Sequence, residues 1–428
     1  MTHNPAVFSA NSDSDSCLYQ ISEKDAYIRF LPQLKSTSGI PDNQIRIWSA
    51  SRWQGLLLYI EQPIVNSAYG VEHLGANYER AGMSTRIAQA YLRYQNDLME
   101  VRYGRAPVRW GQSVQSSIIQ SGYFPAYDHI SARFTISAFK LELLSGQLSS
   151  EYLSIPDTNN DNKIKRYIAG HRITWHPNDS KWTFEIGDQI IYTGVNRSLE
   201  LFYLNPAIPY FFTALEGDET TNPDNDNSII FLNGRYLFKP NLSTYFEFIL
   251  DDYQVDKNTT PHALGYKVGL DGGRVFRGHE LSFELEYTSI DSWTYIHHGQ
   301  FTSWQNRGYP IGYKYGSDCR SIAGQLDFWP KDDWRLHAQY TYLEKGSNNL
   351  NTTWASPGTK DTHFPSTLVT CHSLLVTSFQ WFLKYGILEV GYSNYPIGNA
   401  EIDGVIDKPK GSLFFKAQLV WGFGYNLN

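Results

Sequence analysis

The feature that most constrains the fold is a strict alternation of apolar and polar residues, repeated in runs of about 9 to 13 residues along the chain. In Glu280–Thr288, Leu281, Phe283, Leu285 and Tyr287 face one way, and Glu280, Ser282, Glu284, Glu286 and Thr288 the other. Leu242, Thr244, Phe246, Phe248 and Leu250 oppose Ser243, Tyr245, Glu247 and Ile249 in the same manner. Trp334, Leu336, Ala338, Tyr340 and Tyr342 oppose Arg335, His337, Gln339 and Thr341. Near the C-terminus Leu413, Phe415, Ala417, Leu419, Trp421, Phe423 and Tyr425 oppose Phe414, Lys416, Gln418, Val420, Gly422, Gly424 and Asn426. Soluble strands average about 5 to 6 residues, whereas a tilted membrane-crossing strand needs about 9 to 11. No stretch approaches the ~20 apolar residues of a membrane helix, so a closed barrel is the one way for this chain to cross a bilayer.

The connections alternate too. Short turns rich in Pro, Asn, Asp and Gly are expected at His176–Ser180, Lys239–Asn241, the DGG beginning at Asp271, Pro330–Asp333 and Lys384–Gly386. Between them lie long connections over 193–227, 291–320, 346–366 and 396–410. Short turns at one rim and long loops at the other are the outer-membrane arrangement. Less regular hairpins fall near Ile45–Gln62, Arg86–Arg105 and Ser131–Leu148, and Ala26–Leu34 supplies one more strand. The pattern therefore predicts an all-β, transmembrane antiparallel up-and-down barrel of about 18 strands over 26–428, preceded by a polar segment over 1–25 that is truncated or disordered. A β-sandwich needs shorter strands, and a propeller needs a fixed repeat of about 40 to 50 residues, which this chain lacks.

Composition supports this. With 30 Tyr, 23 Phe and 12 Trp against 3 Met, the chain favours strands over helices. A net charge of -7 without a basic cluster argues against nucleic acid. Residues 1–17 show no basic-then-apolar leader. The segment before Cys17 also lacks the apolar stretch of a lipoprotein signal. Three cysteines with no C-x-x-C spacing predict unpaired thiols and no zinc site.

The expected lumen-facing charges include Glu185, Glu247, Glu280, Glu284, Glu286, Arg93, Arg102, Arg335 and Lys416. They either line a path and bind sugar hydroxyls or form a hydrogen-bonded network that fills the barrel. Bulky inward groups such as Tyr245, His337 and Phe414 favour a blocked lumen. No catalytic constellation stands out, so no enzyme and no cofactor are expected. Asp251 and Asp252 point to opposite faces, and the same-face pair Glu284 and Glu286, about 7 Å apart, has the spacing of any i, i+2 strand pair. The connection 291–320 carries Trp293, Tyr295, His297, His298, Trp304, Tyr309, Tyr313 and Tyr315. Aromatic rings stack on sugar faces, which makes this the first candidate glycan contact. Phe202, Tyr203, Asn205, Tyr210 and Phe211 form the second. Alternatively these rings pack inside the loops and close the mouth, or form the girdle at the membrane interface. Adjacent His297 and His298 lack metal-ligand spacing, and no metal is expected.

Several segments, in order along the chain, resemble the capsule assembly protein Wzi family of encapsulated Gram-negative bacteria. They are YIRFLPQ from Tyr27, LLLYIEQPIVNSAYG at Leu56–Gly70, RYGRAPVRWGQSVQSSIIQSG at Arg102–Gly122 and ELFYLNPAIPYFF at Glu200–Phe212. FEFILDDYQ at Phe246–Gln254, ALGYKVGL at Ala263–Leu270 and the long run at Glu284–Asp318 follow. The resemblance implies an 18-stranded outer-membrane barrel with a small periplasmic helical element near the N-terminus. It also implies a role in holding exported polysaccharide at the cell surface. The polar Ser/Asp-rich start and the YNLN ending depart from that pattern. The expected partners are capsular or extracellular polysaccharide, outer-membrane lipid and the export machinery, with the barrel a monomer. A diffusion channel is the competing function, and a soluble glycan-active β enzyme is a third.

Overall fold

The computed structural model describes residues 25–426 except 38–39, 42, 67–78, 81, 114, 154–161, 196, 211–225, 253–261, 298–300, 353–363, 367–368 and 395–410. Among them, eighteen antiparallel strands close into one barrel. In chain order they are β1 Asp25–Thr37, β2 Gln44–Trp53, β3 Leu56–Asn66, β4 Gln89–Gln95, β5 Met99–Ala106 and β6 Tyr127–Ile136. Next come β7 Phe139–Gln147, β8 Asn162–Trp175, β9 Trp182–Gly194, β10 Asp226–Lys239, β11 Leu242–Asp252 and β12 Ala263–Phe276. The series ends with β13 His279–Ile290, β14 Cys319–Lys331, β15 Trp334–Lys345, β16 Thr370–Leu383, β17 Gly386–Ser393 and β18 Ser412–Leu419, which Trp421–Asn426 continues. Each strand pairs with its neighbours in sequence, and β18 returns to β1 through Gln33↔Gln418 and Phe30↔Trp421, so no edge is left open. The last strand is interrupted where it passes Pro32, which has no N–H to give to a ladder.

Parity along the strands divides the wall into two faces. Leu285 and Leu281 stand exposed on the outside, and their neighbours Glu284 and Glu286 are buried inside. The same split holds for β11, where Ser243, Tyr245, Glu247 and Ile249 are buried. Exposed Trp53, Phe139, Trp175, Trp182, Phe276 and Trp381 cluster beside the short turns, forming an aromatic girdle at that rim. One turn expectation fails. Asp271, Gly272 and Gly273 lie within β12, because the Asp271 carboxylate accepts from Arg235 Nη1 at 2.7 Å and Ser243 Oγ at 2.8 Å. The reversal is made instead by Arg277 and Gly278, whose φ values of 52° and 82° suit a two-residue hairpin turn.

The main apolar core lies inside the barrel. It joins Trp110, Ile118, Ile119 and Phe124 with Trp293, Tyr295, Trp304, Ile311, Tyr313 and inward wall residues such as Phe231 and Ile249. Two connections on the long-loop side, 107–126 and 291–318, have folded into the lumen. The small N-terminal helical element implied by the resemblance falls outside the described residues. Within them the helical content is the 3-10 turn Leu201–Leu204 and a single helical residue, Tyr210.

Candidate functional site

The segment 107–126 leaves β5 at the outer rim and descends through the lumen. Its anchor is Glu247, which sits 1% exposed on the inner face of β11. Its Oε1 accepts from the backbone N–H of Gln112 (2.6 Å) and Ser113 (2.7 Å), and its Oε2 from Ser117 Oγ (3.0 Å) and the N–H of Ile118 (2.8 Å). Four donors on one carboxylate hold the ion without leaving it a bare buried charge. Such a tight wrap needs Gly111, whose φ is 119° and whose Cβ would lie 2.5 Å from Glu247 Oε1. Beside it, Lys267 Nζ pairs with Glu286 Oε2 at 2.7 Å and reaches Ser113 Oγ at 3.3 Å. Ser113 Oγ also donates to Glu286, and the Tyr245 hydroxyl contacts Glu284 (2.8 Å) and Glu286 (2.5 Å). Lower down, Arg235 donates to the Gln112 carbonyl at 3.0 Å, and Arg172 lies 5.0 Å from the Trp110 ring.

The segment 291–318 caps this plug from above. The Tyr295 hydroxyl donates to the Ile118 carbonyl (2.5 Å), Ser121 N–H to the Ile311 carbonyl (2.9 Å) and Lys314 N–H to Ser116 Oγ (3.2 Å). The wall holds it as well. Arg166 donates to the carbonyls of Phe301 and Ser303, both at 2.7 Å; within the segment, Asp318 ties its two ends by accepting from Ser292 Oγ, and it also accepts from the N–H of Asn348 in the following connection, both at 3.0 Å. Burial pushes the Tyr295 and Tyr313 hydroxyls above the usual phenol range, so both stay protonated.

Of the candidate lumen charges, Glu247, Glu284 and Glu286 come together at the plug anchor. Arg335 lies apart, on Asp327 at 2.6 Å, and Arg102 lies apart near Glu100 at 3.6 Å. Of the first glycan candidates, Trp293, Tyr295, Trp304 and Tyr309 are all buried, so their faces meet protein and not solvent, and His297 is half-buried. The mouth-closing alternative describes these rings in this structure. His298 lies outside the described residues.

The second group corrects an expectation. Tyr203 and Tyr210 do not ring the mouth; they lie on the outer wall of the barrel. Tyr203 stacks on Tyr192, with centroids 4.4 Å apart, and Tyr192 stands on the outward parity of β9. The Tyr203 hydroxyl donates to Asp226 at 2.7 Å, and the Tyr210 N–H donates to Asp188 Oδ2 at 2.7 Å. Asp188 pairs with His171 directly across the β8–β9 ladder, Nε2 to Oδ1 at 2.8 Å. A strap over 195–210 thus covers polar groups that would otherwise face lipid. Asn205 is exposed and its Oδ1 accepts from the Ala207 N–H. Phe211 lies outside the described residues, as does the whole connection 396–410.

The plug went unread in the sequence. RYGRAPVRWGQSVQSSIIQSG has no period, and Glu247 meets Ser113 across 134 residues. The readable signal was a Gly- and Ser-rich stretch too polar for a strand, set against a surplus of inward charge. Among the described residues no cluster of His, Cys, Asp and Glu is arranged to hold a metal ion. Cys319 is buried and Cys371 exposed, and both are free thiols.

A closed barrel with a lipid-facing apolar band, an aromatic girdle and a lumen filled from its long-loop side is an outer-membrane β-barrel of the plugged kind. The family model for capsule assembly protein Wzi matches residues 47–408, and the chain belongs to that family. Among solved structures, Wzi of Escherichia coli, described as an outer-membrane protein involved in group 1 capsule assembly and a carbohydrate-binding β-barrel, superposes with a TM-score of 0.64. It is 14% identical, over 95% of this chain and 86% of that one. OccAB2 of Acinetobacter baumannii is 10% identical over 93% and 98%, with a TM-score of 0.48. No curated protein sequence matches.

Proposed function

We propose that this protein attaches capsular or extracellular polysaccharide to the cell surface by non-enzymatic contacts at its extracellular face. The observation that supports this reading over diffusion is the plug: a pore needs a water-filled lumen, and here two segments fill it and are locked to Glu247 and Arg166 of the wall. The lectin-like contact belongs to the outer edge of segment 291–318, where His297 is half-buried. Trp293, Tyr295, Trp304 and Tyr309 hold that edge in shape from beneath. In the second group, Asn205 offers the exposed polar contact, and Tyr203 and Tyr210 fix the strap that carries it. The barrel acts as a monomer, and the export machinery delivers the polymer to it.

Purified protein in detergent, mixed with polysaccharide from its own host strain and sedimented, tests the contact. Saturable co-sedimentation that Trp293→Ala together with Trp304→Ala weakens is expected. Absence of saturable binding by the wild type overturns the reading.

A further inference from the structure

Three guanidinium groups meet on the outer face of the wall, where β5 and β6 end at the long-loop rim. Arg105, the last residue but one of β5, shares the outward parity of Tyr103, which is 67% exposed. Its Nε and Nη2 fork onto both carboxylate oxygens of Asp128, the second residue of β6, at 3.1 and 2.6 Å. Its Nη1 turns to the Ile87 carbonyl at 3.4 Å, which brings Arg86 alongside. Arg307 arrives from segment 291–318. Its N–H donates to Ser149 Oγ (3.0 Å), and the side chain of Asn306 before it joins the Ser149 N–H (2.9 Å) to the Pro125 carbonyl (2.8 Å). The segment is thereby tied down beside the outer ends of β6 and β7.

The charges at this place do not balance. Among the described residues, Asp128 is the carboxylate whose charge reaches Arg86 and Arg307, and Arg105 already grips it. One carboxylate against three guanidiniums leaves two positive charges in excess. Partial burial and the neighbouring Arg307 and Arg105 bring the Arg86 guanidinium down to about 10, the mark of a cluster short of negative charge.

The surroundings say what supplies that charge. Beside and below the patch the wall is apolar, with Ile87, Leu92, Tyr103 and Ile130 all exposed. Side chains of this kind on a barrel's outer face meet acyl chains, so arginines at the strand ends above them reach the level of the lipid headgroups on their long stems. Headgroups there offer phosphate, and the planar guanidinium fork matches phosphate oxygens two at a time. The geometry points to a binding site for the phosphate of an outer-leaflet lipid, held against the outer wall by Arg86, Arg105 and Arg307. Such a site seats the barrel in its leaflet and is independent of what the loops hold.

The test uses full-length protein in detergent and native mass spectrometry with three probes: diphosphorylated hexa-acyl lipid A, the same lipid stripped of phosphate, and inorganic phosphate. The diphosphorylated lipid is expected to bind at least about tenfold more tightly than the stripped one. Arg86→Gln together with Arg307→Gln, both outside the barrel strands, removes that preference, and Arg307→Gln alone lowers it. Lys140→Gln, at an exposed position beside the short turns, leaves it unchanged. Heat-modifiable mobility on gels confirms that each variant is a folded barrel. Equal affinity for the two lipids, an unchanged preference in the folded double variant, an equal loss in the Lys140→Gln protein, or full displacement by inorganic phosphate at equal concentration overturns the proposal.

Discussion

The plug and the strap are both connections from the long-loop rim, and both carry three aromatic residues, yet one turns into the barrel and the other lies along its outside. The wall decides which. Inward of β11 and β12 stand Glu247 and Lys267, buried charges that need donors and acceptors, and segment 107–126 supplies them, with backbone N–H groups to Glu247 and the Ser113 hydroxyl to Lys267. Outward of β8 and β9 stand His171 and Asp188 at positions where lipid contact is otherwise the rule, and segment 195–210 covers them. Loop direction thus follows from which face of the wall carries polar groups that lack a solvent, and aromatic content alone says nothing about it.

The largest effect that would break this comparison is expected at the plug anchor. Glu247→Ala leaves three backbone N–H groups unmet inside the barrel and should cost roughly 3 to 6 kcal/mol. Urea-dependent refolding into lipid vesicles measures the loss, and planar-bilayer recording should show conductance that the wild type lacks. A barrel that stays closed would mean segment 107–126 is held by something other than Glu247. The next largest sits on the wall itself. Leu285→Arg should cost about 2 to 4 kcal/mol in the same refolding assay and Glu284→Gln less, since one faces lipid and the other a hydrogen-bonded interior. Equal costs would contradict the faces.

On the strap, Tyr203→Ala removes a stacked ring and the bond to Asp226, a loss of about 2 to 4 kcal/mol that sets the strap free. Protease should then cut within 195–210 while conductance stays at zero, the reverse of the plug variant. New conductance in that protein would place the strap inside the lumen. Smallest of all, Asn205→Ala should change stability by no more than about 0.5 kcal/mol, because the residue is exposed. Its effect on polysaccharide co-sedimentation then reports contact alone.

The wall was legible because a strand between lipid and a polar lumen must alternate, and Glu284 beside Leu285 states both environments in two residues. The resemblance over the same chain gave the family. The inner architecture was hidden for a physical reason: what fixes the plug is a carboxylate in β11 meeting backbone N–H groups far away in sequence, and backbone donors have no residue signature. Asp271–Gly273 looked like a turn since Asp and Gly favour turns, yet Arg235 and Ser243 held it in the ladder. Tyr203 and Trp293 looked alike as surface aromatics. The clue separating them was parity, because His171 and Asp188 fall on the lipid-facing positions of their strands and so required a cover.

The central claim, attachment by a plugged barrel, is tested most directly by the distribution of polysaccharide between cells and medium after deletion of the gene, with total polysaccharide as the control. A shift from cell-bound to free polymer at unchanged total, reversed by restoring the gene, is the outcome the account predicts. An unchanged distribution would contradict it.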